Sequence, residues 1–209
     1  MASFKQCNMY FAACAISLLC MVCVSHSAPL PCEELVRPLK EVDFHNFKGL
    51  WAMVAGSLSY LTNLEKFKQR DSATVNFYSN TSDTSVSYSR SIRLDNKCLY
   101  TSYNISLQGG SFTYDGTDKN NVSAIFVRPP CHDCMVMHIQ LKSKEQQHFY
   151  LFSRRRQLEQ KEMEEFSAQV QCLHMPSPVV LDPTKELCAD ETADDPTAQP
   201  EQKTEEQKK

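Results

Sequence analysis

The sequence predicts an all-β fold, an eight-stranded antiparallel up-and-down barrel with one C-terminal α-helix packed outside. Three observations lead there: eight short stretches with two-residue alternation, polar turn residues between them, and a switch to helical spacing near residue 158. Regular short strands with polar turns are the pattern of a sandwich or barrel. Eight strands are about the number that closes around one small ligand.

The alternation is cleanest at 85–94, SVSYSRSIRL. Ser85, Ser87, Ser89 and Ser91 share one face, and Val86, Tyr88, Arg90, Ile92 and Leu94 share the other. A strict period of two means one face buried and one wet. Residues 99–107 repeat it, with Leu99, Tyr103, Ile105 and Leu107 on one side and Asn104 and Ser106 opposite. Comparable runs occupy 50–57, 72–79, 111–115, 122–128, 134–142 and 147–154. Asp95-Asn96, Gly109-Gly110 and Pro129-Pro130 are among the separators.

Met163, Phe166, Val170 and Leu173 then recur at helical spacing, while Glu159, Lys161, Glu162, Glu164 and Glu165 fill the opposite face. The spacing predicts an amphipathic helix over 158–171, stopped by Pro176 and Pro178, with a short extended run at 179–181.

The ends read differently. Lys5, the apolar run Met9 to Val24 and Ser25-His26-Ser27 have the layout of a secretory signal peptide over 1–27. That run has 16 residues, against roughly 20 for a spanning helix, so no membrane span is expected. The domain is expected over 28–188. Residues 189–209 lack aromatics and nearly all apolar side chains, so a disordered acidic and polar tail is expected.

Four of the ten cysteines fall within 1–27; Cys32, Cys98, Cys131, Cys134, Cys172 and Cys188 remain. An even number behind a signal peptide reads as a disulfide framework. Sequons at Asn80, Asn104 and Asn121 suit the same route and predict N-glycosylation. Without Lys5 the chain carries 21 basic and 25 acidic side chains, a net −4 that does not point to nucleic acid. Arg154-Arg155-Arg156 is the local exception, read as a solvated loop or structural arginines.

Gly49-Leu50-Trp51 opens the first strand and Leu151-Phe152-Ser153-Arg154 ends the last. In a secreted eight-strand pattern these resemble the first and third motifs of the lipocalins; His132-Asp133-Cys134 matches the middle motif poorly. The segments Cys32-Glu33-Glu34-Leu35-Val36, Asp95-Asn96-Lys97-Cys98-Leu99-Tyr100, Cys172-Leu173-His174-Met175-Pro176 and Lys185-Glu186-Leu187-Cys188 resemble the α1-acid glycoprotein (orosomucoid) and apolipoprotein M subgroup. Fish saxitoxin/tetrodotoxin- and tributyltin-binding proteins belong to that subgroup.

The resemblance implies that Trp51 plugs the closed end with Arg154 over it. It also implies disulfides Cys32–Cys172 and Cys98–Cys188. For Cys131 and Cys134 a local disulfide is the default. A soft-metal site with His132, Asp133 and His138 is the sharper alternative. No metal and no cofactor is expected.

Arg90 shares the inward strand face, where a charge must be paired, hydrated or used. It either reaches water at the open mouth or anchors a polar or anionic group of a ligand. Tyr88, Ile92, Tyr103, Phe112, Tyr114, Phe126, Met135, Met137 and Ile139 would line the interior beside it. With the opposite register in 134–142, Val136 and His138 would face inward instead.

The resulting expectation is a monomeric, secreted, non-enzymatic carrier of a small hydrophobic or amphipathic molecule. Lysolipid, steroid, basic drug, guanidinium toxin and organotin all suit the subgroup; Arg90 favours an anion over a cationic toxin. Two other readings are a surface-acting immunomodulatory glycoprotein and an isomerase with a cysteine inside the barrel, as in prostaglandin D synthase. Counting free thiols separates the last from a carrier, since that chemistry needs an unpaired thiolate.

Overall fold

The computed structural model describes residues 30–78, 85–115, 122–141 and 146–189. The expected signal segment, Asn80, Asn121 and the tail beyond Ala189 lie outside them. The chain divides into two compact units, Met1–Glu34 and Leu35–Lys209. In the first, the Glu34 N–H donates to the Pro31 carbonyl at 3.0 Å, in the turn that starts helix α1 (Cys32–Leu35). The second holds the barrel.

Eight strands close antiparallel: β1 (Gly49–Leu58), β2 (Ser72–Tyr78), β3 (Ser85–Leu94), β4 (Lys97–Gln108), β5 (Ser111–Tyr114), β6 (Val122–Val127), β7 (Cys134–Leu141) and β8 (Gln147–Ser153). Closure comes from β1, which pairs with β2 from Gly49↔Phe77 to Ala52↔Thr74 and with β8 from Ala52↔Ser153 to Leu58↔His148. A short ninth strand, β9 (Val179–Val180), runs outside against Ala55 and Gly56.

An irregularity between Met53 and Ala55 resets the alternation of β1. Trp51 and Met53 pack inside the barrel, Val54 and Ala55 pack outside, and Leu58 is inside again. Such a bulge bends the strand and re-aims its side chains. Because neighbouring strands alternate in direction, the β1–β2, β3–β4, β5–β6 and β7–β8 connections share one end of the barrel. The lead-in with α2 (Phe44–Phe47) meets the other end, where β1 begins.

The inner core is dominated by aromatics and methionines. Phe77, Phe112, Phe126, Met135, Met137 and Phe152 are each buried to 1 % exposure or less. In β7 the inward residues are Met135, Met137 and Ile139, while Val136 faces the outer core. His138 stands with that outer face, 5.6 Å edge-on from Phe149 and hydrogen-bonded to Gln147 at 2.9 Å.

Helix α4 (Gln160–Cys172) covers the outside. Its N-terminus carries a reciprocal capping box between Glu159 and Glu162. Such an arrangement satisfies two otherwise unpaired N–H groups. Phe166 and Val170 are fully buried against the outer core, and Phe166 stacks on Phe149 at 5.4 Å with a 5° interplanar angle. Burying one such phenylalanine contributes about 2–3 kcal/mol.

Two sequence expectations need correction. Glu162 and Glu165 do not belong to a purely wet helix face: Glu162 pairs with Arg155 at 2.8 Å and Glu165 with Arg128. Leu99 is 54 % exposed although it shares the inner parity of β4, because it stands opposite Ile92 above the packed interior.

The stretch between β1 and β2 forms an eight-residue helix, α3 (Leu61–Lys68), which strand alternation does not reveal. It buries Leu64 and Phe67. Gly56 permits this seating, since a Cβ there would lie 2.7 Å from the Phe67 ring and 2.8 Å from the Tyr150 ring.

Candidate ligand-binding site

One end of the barrel is sealed. Gly49 adopts φ +91°, a conformation that favours glycine, and lets Arg154 pass close to the start of β1. The Arg154 guanidinium carbon lies 3.8 Å from the centroid of the Trp51 indole. Its nitrogens donate to the carbonyls of Leu50 at 2.7 Å, Asn46 at 3.3 Å and Lys48. The Trp51 indole N–H donates to Phe47 O at 2.8 Å, and Phe47 meets Phe126 edge-on at 4.8 Å.

The neighbouring arginines are structural too. Arg155 forks onto Asp133 at 2.6 and 2.9 Å and also reaches Glu162. Arg156 donates to Lys185 O at 2.8 Å. Asp133 further accepts, through its main-chain carbonyl, the Arg154 N–H and the Ser153 hydroxyl. The guanidinium of Arg155 holds the Asp133 carboxyl below the usual carboxylate range.

The described cysteines are all disulfide-bonded. Cys98 is joined to Cys188 and Cys131 to Cys134. Cys131, Asp133 and Cys134 place their ligand atoms within 4.8 Å of one another, but both sulfurs are spent in the disulfide and the carboxylate is held by Arg155. His138 is not part of this cluster.

Above the aromatic floor lies a cavity of about 240 Å³. β1 contributes Met53 and Leu58, β7 Ile139, and β8 His148, Tyr150 and Phe152. β3 supplies Tyr88 and Arg90, and β5 supplies Tyr114. Helix α3, the lid of this space, adds Asn63 and Lys66, and Arg70 follows it. Three cations therefore line the space, and no described carboxylate or cysteine does.

Of the nine residues expected to face a ligand, Tyr88, Arg90 and Tyr114 line this cavity, as does the additional candidate Ile139. Ile92, Tyr103, Phe112, Phe126, Met135 and Met137 do not. For Phe112, Phe126, Met135 and Met137 the physical reason is volume, whereas Ile92 and Tyr103 are only partly buried against that core. Phe112 meets Tyr88 at 6.2 Å and Phe126 at 5.4 Å, and with the methionines they fill the lower barrel as a solid plug. Lys66, Arg70, His148 and Tyr150 were missed. The alternation of β8 could have identified His148 and Tyr150; the others come from the unassigned β1–β2 connection.

The electrostatics follow from burial. Arg70 lies 4.8 Å over the Phe67 ring, and the Tyr150 phenol is among the groups that act on its charge. Phe67 in turn stacks on Tyr150 at 5.9 Å. Burial lowers the Arg70 pKa, with Tyr150 opposing and Arg90 assisting. Burial also raises the Tyr88 and Tyr150 phenols, and pushes Tyr114 up to about 12. His148 is pushed down to about 4 by burial and then by Arg70 and Arg90. At neutral pH the tyrosines are therefore neutral donors and His148 is uncharged.

Two buried atoms in this shell, Arg90 Nε and His148 Nε2, have no hydrogen-bond partner. A buried unsatisfied polar atom costs about 1–3 kcal/mol. An acceptor between Arg70 and Arg90 would remove part of that penalty.

A search of curated protein sequences finds no match. Among solved structures the chain is similar to the siderocalin Ex-FABP, a protein described as functioning through dual ligand specificities. The likeness has a TM-score of 0.57 at 13 % identity, covering 69 % of this chain and 97 % of that one, and it shows the lipocalin-like fold. The family model for the ApoM domain matches residues 35–191, from the start of the barrel unit to just past Cys188. Taken with the closed eight-stranded barrel and its external helix, that match places the chain in the ApoM-domain family, a lipocalin subgroup of ligand-binding carriers.

Proposed function

We propose that this chain is a secreted carrier of an anionic amphiphile. The charged group sits between Arg70 and Arg90, and the apolar part lies against Met53, Leu58, Ile139 and Phe152. The single observation behind this reading is the cavity's charge: Lys66, Arg70 and Arg90 with no carboxylate among the described lining residues. At an effective dielectric near 20, a unit charge about 4 Å from one guanidinium gains or loses ~4 kcal/mol. That magnitude separates anions from guanidinium toxins, basic drugs and organotin cations.

Secretion and glycosylation belong to the same reading. The disulfides Cys98–Cys188 and Cys131–Cys134 suit an oxidising compartment. Asn104 lies on the exposed face of β4, where a glycan meets no core residue. Asn80 and Asn121 are proposed as further acceptors, and Cys32 and Cys172 as the third bridge.

The test titrates the protein with a long-chain fatty acid, its methyl ester and the alkylamine of equal length, following displacement of a fluorescent probe. The acid should bind at least about tenfold tighter than the ester, with the amine weakest, and Arg90→Met should bring acid and ester together. Equal affinity for amine and acid would remove the anion reading.

A further inference from the structure

The open rim of the barrel carries apolar side chains that the fold leaves uncovered. Leu61 at the start of the lid helix is 66 % exposed and Tyr60 before it is 49 % exposed. Leu99, opposite Ile92 in the β3–β4 pair, stands at the same end and faces the mouth from the inner side of the sheet. Isolated exposed apolar residues are ordinary, but grouping at one functional end is not.

The cations that line the cavity grade in exposure, from Lys66, exposed on α3, to the partly buried Arg70 and Arg90, while Glu65, Asp71 and Asp95 at this end stand outside the lining. On the lid, Lys68 is neutralised by Glu65 at 2.7 Å, whereas Lys66 lines the mouth of the cavity. Arg70 and Arg90 continue the cationic row inward. The lid itself is lightly held. It has eight residues, its N-cap Tyr60 makes no side-chain cap, and it is seated mainly by Leu64 and Phe67. Helices this short draw their stability from packing, not from their own hydrogen bonds.

We propose that this rim docks on a lipid bilayer, with Tyr60, Leu61 and Leu99 inserted among acyl chains and Lys66 at the anionic head groups. The cargo then passes along the cationic row into the cavity without crossing bulk water. This rests on the anionic-amphiphile reading. Aromatic and aliphatic residues beside lysines are the combination that binds interfaces, the apolar part by burial and the charges by attraction to anionic lipid.

The experiment follows transfer of a fluorescent fatty acid from vesicles of equimolar phosphatidylcholine and phosphatidylserine to the full secreted chain. The rate should rise with vesicle concentration. Leu61→Asp should slow it about tenfold, the effect of keeping one leucine out of the apolar phase. An aspartate at a helix start is compatible with folding. Leu50→Asp, an exposed position at the sealed end, should transfer at the wild-type rate. A rate independent of vesicle concentration, or an unchanged rate in Leu61→Asp, overturns the docking. So does a wild-type dimer that Leu61→Asp dissociates in sedimentation, since a second copy would then cover the rim. Fatty-acid binding in vesicle-free buffer is measured on the same proteins. Its absence defeats the carrier reading, whereas intact binding with bilayer-independent transfer defeats the docking alone.

Discussion

The guanidinium of Arg154, the residue after β8, lies 3.8 Å over the indole of Trp51, the third residue of β1. It thereby ties the last barrel strand to the first and to the lead-in carbonyls of Asn46 and Lys48. Neither a point charge nor an apolar side chain would satisfy all of these partners.

Arg154→Lys is therefore expected to lose most of what Arg154→Ala loses. Lysine keeps the charge but not the planar fork or the stacking. For the partly exposed contact the loss is about 1–2 kcal/mol, combining a cation–π contact with charge-assisted hydrogen bonds. Urea denaturation of both variants checks it. A lysine variant as stable as the wild type would show that charge alone matters.

Gly56→Ala should unseat the lid. The added methyl would come within 2.8 Å of both Phe67 and Tyr150, so the ring pair that clamps α3 must move. Overpacking of this kind costs about 1–3 kcal/mol. Hydrogen exchange over 61–68 should accelerate, with the β7–β8 pairing unchanged; unaltered exchange in α3 would contradict the clamp.

The stability of the fold should fall in mild acid because of His148. Its folded pKa of about 4 lies below the ordinary 6.5, so the unfolded chain binds the extra proton first. The contribution is complete above pH ~6.5, declines as pH falls, and is gone below pH ~4. The size is ~3 kcal/mol, and His138, also lowered by burial, acts in the same direction. In denaturation series at stepped pH, His148→Gln should flatten the decline across this window. A slope identical to wild type would refute the assignment.

The two bridges visible as pairs should differ in worth. Cys131–Cys134 closes a separation of 3 residues and Cys98–Cys188 one of 90. On the chain-entropy account, replacing each pair by serines costs about 2 and about 5 kcal/mol respectively. Thermal unfolding of the two double variants ranks them; equal losses would mean that local packing, not loop closure, sets their value.

Periodicity along the chain was sufficient for most of the architecture. SVSYSRSIRL is a strand because side chains alternate every residue, and that alternation alone puts Tyr88 and Arg90 on the inner face. The spacing of Phe166 and Val170 likewise requires a helix with one buried stripe. These are local facts, written in neighbouring residues.

The candidate site was only partly legible. Arg90, Tyr88 and Tyr114 were within reach, but Arg70, Lys66 and His148 join them across the closure of β1 on β2 and β8. The bulge between Met53 and Ala55 shifts the parity of β1, and α3 has too short an apolar pattern to announce a lid.

Residue spacing was enough for the eight barrel strands, the external helix and the inward charge at Arg90. Which tier of the barrel is packed and which holds the cavity emerges only when all eight strands are closed. Strand alternation says that a side chain points inward, whereas a cavity depends on the summed volume of side chains from eight strands. Phe112, Phe126, Met135 and Met137 fill the lower tier, and the space left above them is ringed by Lys66, Arg70 and Arg90.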